Sequence, residues 1–99
     1  MISVVTITYN NFSDLQRTVE SLAPVKDRIE HIIVNGGQCD RTKEYLRQYG
    51  CKSISEPDRG ISDAFNKGVG MATGSGVVFL NSGDVLIQPE YLEWADSQL

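Results

Sequence analysis

Apolar positions along the 99-residue chain change period several times, and each change predicts an element. Residues 2–8, ISVVTIT, form a β-branched run of the kind that builds an interior strand. Residues 13–16, SDLQ, have the form of a capping box, and Leu15, Val19 and Leu22 follow at helical spacing until Pro24 forbids continuation. Residues 29–34 repeat the strand pattern and Asn35-Gly36-Gly37 breaks it. Asp40 can then cap a helix carrying Tyr45, Leu46 and Tyr49 that Gly50 ends. Residues 52–55 predict a short strand before the loop EPDRG. From Ile61 onward, Ala64, Phe65, Val69 and Ala72 mark one face of a third helix, in which Gly68 and Gly70 each cost roughly 1 kcal/mol relative to Ala. Residues 77–80 predict a fourth strand, buried on both faces. Pro89 suits the first turn of a last helix carrying Leu92, Ala95 and Leu99, with Tyr91 and Trp94 on its flank.

Strands that alternate with helices imply parallel pairing through right-handed crossovers. The predicted fold class is therefore α/β, a Rossmann-like doubly wound and mostly parallel sheet of about four strands with helices on both faces. Ligands in such sheets bind outside the carboxyl ends of the strands, where strand order reverses. Four segments leave those ends: residues 8–10, 35–37, 56–60 and 81–84. The unusual polar chemistry of the chain falls on this one edge.

Composition narrows the function more than the fold. A chain that is 40% hydrophobic has material for one core, hence a single domain over residues 1–99. Its formal charge of −4 argues against nucleic acid as a partner, because polyanion binders carry a basic field. A single phosphorylated small molecule needs only local positive groups. No run approaches about 18 apolar residues, and MISVVTITYN lacks the basic start and small-residue cleavage site of a signal peptide, so a soluble cytoplasmic protein is expected. Cys39 and Cys51 have the spacing of neither a zinc site nor a redox motif. His31, inside a strand-like run, is given no role.

The edge residues offer a coherent set of groups. Tyr9 can lay a ring against a nucleobase, while Thr8 and Asn10 supply donors and acceptors to its edge or to a ribose; packing of Tyr9 on the first helix is the alternative. Asn35 can accept from a base N–H through its side-chain oxygen, beside glycines that allow close approach, although Asn-Gly-Gly is also an ordinary turn. Arg59 next to Gly60 presents a fork of donors suited to a diphosphate, with a solvated charge pair as the alternative. Lys67 is either a second phosphate contact or, as favoured here, a helix-surface residue. Asp63 opens a helix, where the dipole favours a carboxylate regardless of function. Asn81-Ser82-Gly83-Asp84 has turn composition. Yet Mg²⁺ takes one or two carboxylates plus phosphate oxygens and water, so one aspartate after a buried strand is enough.

The stretches ISVVTITYN, HIIVNGGQCDRT and EPDRGISDAFNKGVGMATGSGVVFLNSGD together resemble, in order and spacing, the nucleotide-sugar-binding half of the family 2 inverting glycosyltransferases of GT-A fold. The likeness is to bacterial enzymes that build capsule, colanic-acid-like and O-chain polysaccharides, and it covers nearly the whole chain. The resemblance implies transfer of a sugar from a nucleotide-diphosphate sugar to a glycan or lipid-linked acceptor. By it, Thr8, Tyr9, Asn10 and Asn35 line the nucleoside pocket, with Asn35 where the family usually places aspartate. Arg59, Gly60, Asp63 and Asn66 face the donor diphosphate and sugar. Asp84 matches the final aspartate of the metal motif and holds Mg²⁺ or Mn²⁺, while Asn81 replaces that motif's first acid. The family's catalytic base and acceptor-binding half lie beyond the metal motif, so the expectation is a truncated enzyme, inactive alone, whose complete form is cytoplasmic or peripheral at the inner face of the membrane. An open sheet edge predicts a homodimer. A non-catalytic nucleotide-sugar-binding or interaction module is the alternative reading.

Overall fold

A computed structural model of the chain describes residues 1–57 and 59–85. The elements run β1 (Ile2–Thr8), α1 (Phe12–Ser21), a 3₁₀ segment (Ala23–Arg28), β2 (Ile29–Asn35), α2 (Asp40–Tyr49), β3 (Lys52–Ser55), α3 (Ile61–Met71) and β4 (Gly76–Asn81). All four strands are parallel, in the order β3-β2-β1-β4. Strand order thus proceeds outward from β1 through β2 to β3, then returns to the other side of β1. The reversal lies between β1 and β4.

Register shows which residues share a face. Ile2 pairs with Ile29 and Gly76, Val4 with His31 and Val78, and Thr6 with Ile33 and Leu80. On this face Leu22 and Val25 pack with Ile2, Val4, Ile29 and Leu80, while Leu15 and Val19 of α1 meet Ile33 and Leu46 of α2. The opposite face presents Val5, Ile32 and Val34, each fully buried, and carries α3. Helices therefore cover both faces. The backbone of α3 lies so close to β1 that a Cβ at Gly68 would fall 2.2 Å from Val5 Cγ1.

Several local expectations change on contact with the structure. No capping box forms at Ser13: α1 starts two residues earlier with Asn11 as N-cap, and no side chain caps it. Asp40 is the first helical residue of α2 rather than its cap, which is Cys39; Gly50 does end that helix, at φ 75°, the left-handed value that favours glycine. The buried face of α3 is Ala64 and Gly68, with Val69 43% exposed, because the absence of a side chain, not an apolar one, lets the helix approach the sheet. Strand β4 is not buried on both faces, since Val77 and Phe79 are exposed. Residues 86–99, to which the last helix was assigned, lie outside the described residues, as does Asp58.

Candidate functional site

The cleft at the reversal point has a volume of ≈ 490 Å³ and is lined by Ile7, Thr8 and Tyr9 from the end of β1, Asn11 at the head of α1, Gly60, Ile61 and Ala64 at the head of α3, and Asn81 and Ser82 from the end of β4. The lining combines the apolar side chains of Ile7, Ile61 and Ala64 with amide, hydroxyl and phenol groups, the composition of a small-molecule site. Tyr9 is 68% exposed, so its ring stands in the cleft mouth and does not pack on α1. Thr8 is buried and donates its hydroxyl to Asn11 Oδ1. The hydroxyl of Ser82 is buried with no hydrogen-bond partner among the described residues, a polar group beside the cleft that a ligand or water can satisfy.

A second group of predicted residues gathers one strand further along, where the ends of β1 and β2 meet. Asn10 adopts φ 52°, a left-handed conformation that Asn tolerates. Its Oδ1 accepts from Gln38 N–H at 3.0 Å, and a Cβ at Gly37 would fall 2.3 Å from that same oxygen. Glycine at 37 is thus required for the two loops to touch. Asn35 is fully buried, its Oδ1 accepts from Gly37 N–H at 3.0 Å, and its amide donates to Ser55 Oγ at 3.3 Å. The oxygen expected to meet a base N–H thus spends one of its two lone pairs on the backbone, and Asn35 supports this loop from beneath.

On the opposite rim, Arg59 is exposed and Gly60, at φ 120°, turns the chain into α3 in a region open to glycine. Asp63 accepts Arg59 N–H at 2.9 Å, and its carboxyl is held below the usual range first by that N–H and then by the Lys67 ammonium. A carboxylate so placed secures the turn between β3 and α3. Lys67 is not a free surface lysine: its ammonium donates to Pro57 O at 2.7 Å and lies 3.1 Å from Glu56 Oε1 and 3.6 Å from Asp63 Oδ2. It staples the β3–α3 loop. Asn66 is exposed on α3 and outside the cleft lining.

The turn after β4 closes with Asp84 N–H donating to Asn81 O at 2.9 Å, and Gly83 at φ 105° occupies the position that demands positive φ in a type II turn. Asp84 is exposed, and its Oδ2 accepts from Asn81 N–H at 2.8 Å. Among the described residues no three acidic, histidine or cysteine groups gather to hold a metal. A single exposed carboxylate, oriented through one oxygen, does fit a hard cation that draws its remaining ligands from phosphate and water. Residues missed by sequence reasoning include Asn11, which lies immediately after the recognised Thr8-Tyr9-Asn10 run, and Thr18, a polar member of the otherwise apolar stripe Leu15, Val19, Leu22.

The fold is an open parallel α/β sheet, and the cleft lies at its strand-order reversal, where such sheets bind ligands. The model of the family described as Glycosyl transferase family 2 matches residues 3–94, and the chain belongs to that family. An uncharacterized glycosyltransferase of Mycobacterium tuberculosis is 40% identical over 101 residues, covering 95% of this chain and 38% of the relative. The chain therefore spans well under half the length of this relative. Among solved structures, S. aureus TarS 1–349 superposes with a TM-score of 0.83 at 24% identity, over 97% of this chain and 31% of that one. The mannosyltransferase PcManGT of Pyrobaculum calidifontis, solved with GDP-Man and Mn²⁺, gives 0.79 at 20% identity over 92% of this chain and 30% of that one. At those identities the likeness is one of fold, and it is the GT-A, Rossmann-like fold expected from the sequence. No helix among the described residues is long and apolar enough to cross a membrane.

Proposed function

We propose that this chain is the donor-binding domain of a glycosyltransferase that moves a sugar from a nucleotide-diphosphate sugar to a glycan or lipid-linked acceptor, in the assembly of bacterial surface polysaccharide. The observation that carries this reading is the cleft at the strand-order reversal, bounded by the ends of β1 and β4 and the head of α3. The nucleoside lies along Tyr9 and Thr8, with Asn10 and the buried Asn35 fixing the adjoining loops. Arg59 beside Gly60 faces the diphosphate, and Asp63 and Asn66 lie on the sugar side. Asp84 holds Mg²⁺ or Mn²⁺, which supplies Lewis-acid stabilisation of the departing diphosphate. Arg59 adds a second positive group where negative charge develops. No residue described here is assigned as the base that deprotonates the acceptor.

Titration calorimetry with UDP and GDP, in Mn²⁺ and in chelator, tests the reading. The parent chain should bind one of the two diphosphates at least about tenfold more tightly with metal, the scale on which losses at a metal site are felt. Asp84→Asn, which keeps an oxygen for Asn81 N–H but loses the charge, should remove most of that difference. Equal affinity with and without metal in the parent chain would take Asp84 out of the site.

A further inference from the structure

The carboxylate assigned to the cation sits on a turn of four residues, and such a turn holds a charged group in place only if something fixes its backbone. Beyond the backbone bonds of Ser82 N–H to Ile7 O and Asp84 N–H to Asn81 O, that support comes from Thr18, in the middle of α1 and 66 residues away in sequence from Asp84. Thr18 is fully buried. Its Oγ1 lies 2.7 Å from Asp84 O and 2.9 Å from Gly83 N, and 3.3 Å from Asp14 O in its own helix. A hydroxyl has one proton to give. The shortest contact makes Asp84 O the acceptor of that proton, and Thr18 Oγ1 in turn accepts from Gly83 N–H. One side chain thus satisfies a donor and an acceptor on consecutive residues of the turn, and it does so from within a packed helix whose neighbours Leu15 and Val19 are buried against the sheet.

We infer that Thr18 is a positioning residue for the Asp84 carboxylate, a clamp that transmits the rigidity of α1 to the cation ligand. The inference rests on the proposal that Asp84 holds a divalent cation. Two hydrogen bonds fix the backbone of Gly83 and Asp84 through Thr18, and a third, from Asn81 N–H to Asp84 Oδ2, orients the carboxylate on that backbone. Groups that orient a metal ligand typically contribute about 10–100-fold to metal affinity. Serine can make the same two bonds. Valine matches threonine in shape, but it can neither donate to Asp84 O nor accept from Gly83 N–H.

The test compares Thr18→Val and Thr18→Ser in the full chain by titrating UDP and GDP with and without Mn²⁺ and reading the ratio of the two affinities. The expected result is a fall of about tenfold or more in that ratio for valine, with serine restoring it to near the parent value. A valine variant that keeps the parent ratio overturns the clamp, as does a serine variant that loses it equally. A parent chain with no metal effect instead overturns the Asp84 reading itself, so the two failures are distinct. Should Thr18→Val not fold, amide hydrogen exchange in the parent chain decides: the Gly83 N–H must exchange slowly without ligand, and fast exchange there contradicts the clamp.

Discussion

At the amino ends of the strands, Glu30 accepts from Ser3 Oγ at 2.8 Å, from Lys52 Nζ at 2.7 Å, and from both the backbone and the hydroxyl of Thr73. Ser3 Oγ in turn accepts Gly74 N–H at 2.8 Å. At the carboxyl ends the polar groups are arranged otherwise: Tyr9 is largely exposed, Ser82 Oγ is unpartnered among the described residues, Arg59 is exposed, and Asp84 offers a carboxylate with one oxygen engaged. Both edges belong to one sheet and are rich in polar residues. One closes its donors and acceptors upon each other and ties β1, β2, β3 and the α3–β4 loop together. The other leaves several of them facing a cleft. The contrast shows why polarity alone does not mark a site: what distinguishes a ligand edge is unspent hydrogen-bonding capacity beside a concave surface.

Helix α3 connects the two edges, starting at the cleft and ending beside Thr73, so disturbing its seat should damage both. Gly68→Ala places a methyl against Val5, and overpacking of this kind costs about 1–3 kcal/mol. The expected outcome is a lowered urea midpoint together with weakened nucleotide binding. Damage confined to one edge is predicted for Glu30→Ala. It leaves the buried Ser3 hydroxyl and the Thr73 N–H without their acceptor, at a cost of about 1–3 kcal/mol, while nucleotide affinity should stay within about twofold of the parent. Loss of binding equal to that of Asp84→Asn would dissolve the distinction between the edges.

Acid titration separates contributions that mutation mixes. Hydrogen bonding, first from Lys52 and then from Thr73, lowers the Glu30 carboxyl from 4.5 to about 2. Its folded pKa lies below the unfolded one, so its stabilisation is complete above pH 4.5 and is lost as pH falls toward 2. Burial lowers His31 from 6.5 to about 4, with its ring nitrogens 2.8 Å from Thr6 Oγ1 and 2.9 Å from the Tyr49 hydroxyl. An imidazole that stays neutral when folded but charges when unfolded loses stability from pH 6.5 down to about 4. Urea melts at a series of pH values should therefore show an upper window that His31→Gln flattens and a lower one that Glu30→Ala flattens. The smallest effect expected is a gain. A Cβ at Gly70 meets nothing within 4 Å, so Gly70→Ala should stabilise the helix by roughly 0.5–1 kcal/mol, opposite in sign to the same change two residues earlier.

That pair of glycines also shows what the sequence could and could not reveal. Periodicity located β1 and β3 to the residue and the start of α3, because β-branched runs and turn residues act locally. It assigned Gly68 and Gly70 the same penalty, since propensity carries no knowledge of what lies across the gap. The place of the cleft was legible in outline: Thr8, Tyr9, Gly60, Asn81 and Ser82, from three of the four strand-end segments, do converge, as expected from strand ends in an α/β sheet. Its finer wiring was not. Asn35 was legible as a polar residue at a strand end but not as a buried partner of Gly37 and Ser55, and Lys67 carried no sign that Pro57 O would hold it. Thr18 had only one visible mark, a hydroxyl on an apolar stripe, and its partners are 65 and 66 residues distant.

The claim on which the others depend is that ligand binding belongs to the carboxyl edge alone. Seven residues of β1 separate the two edges by about 20 Å, at roughly 3.3 Å per residue, far enough for backbone amide shifts to resolve them. The direct measurement is amide chemical-shift mapping of the full chain titrated with UDP and with GDP in Mg²⁺. The account predicts saturable shifts at Tyr9, Asn11, Gly60, Ile61, Ser82 and Asp84, with Ser3, Glu30, Lys52 and Thr73 unmoved. Saturable shifts centred on Glu30 and Thr73, with Tyr9 and Ser82 unmoved, would contradict it.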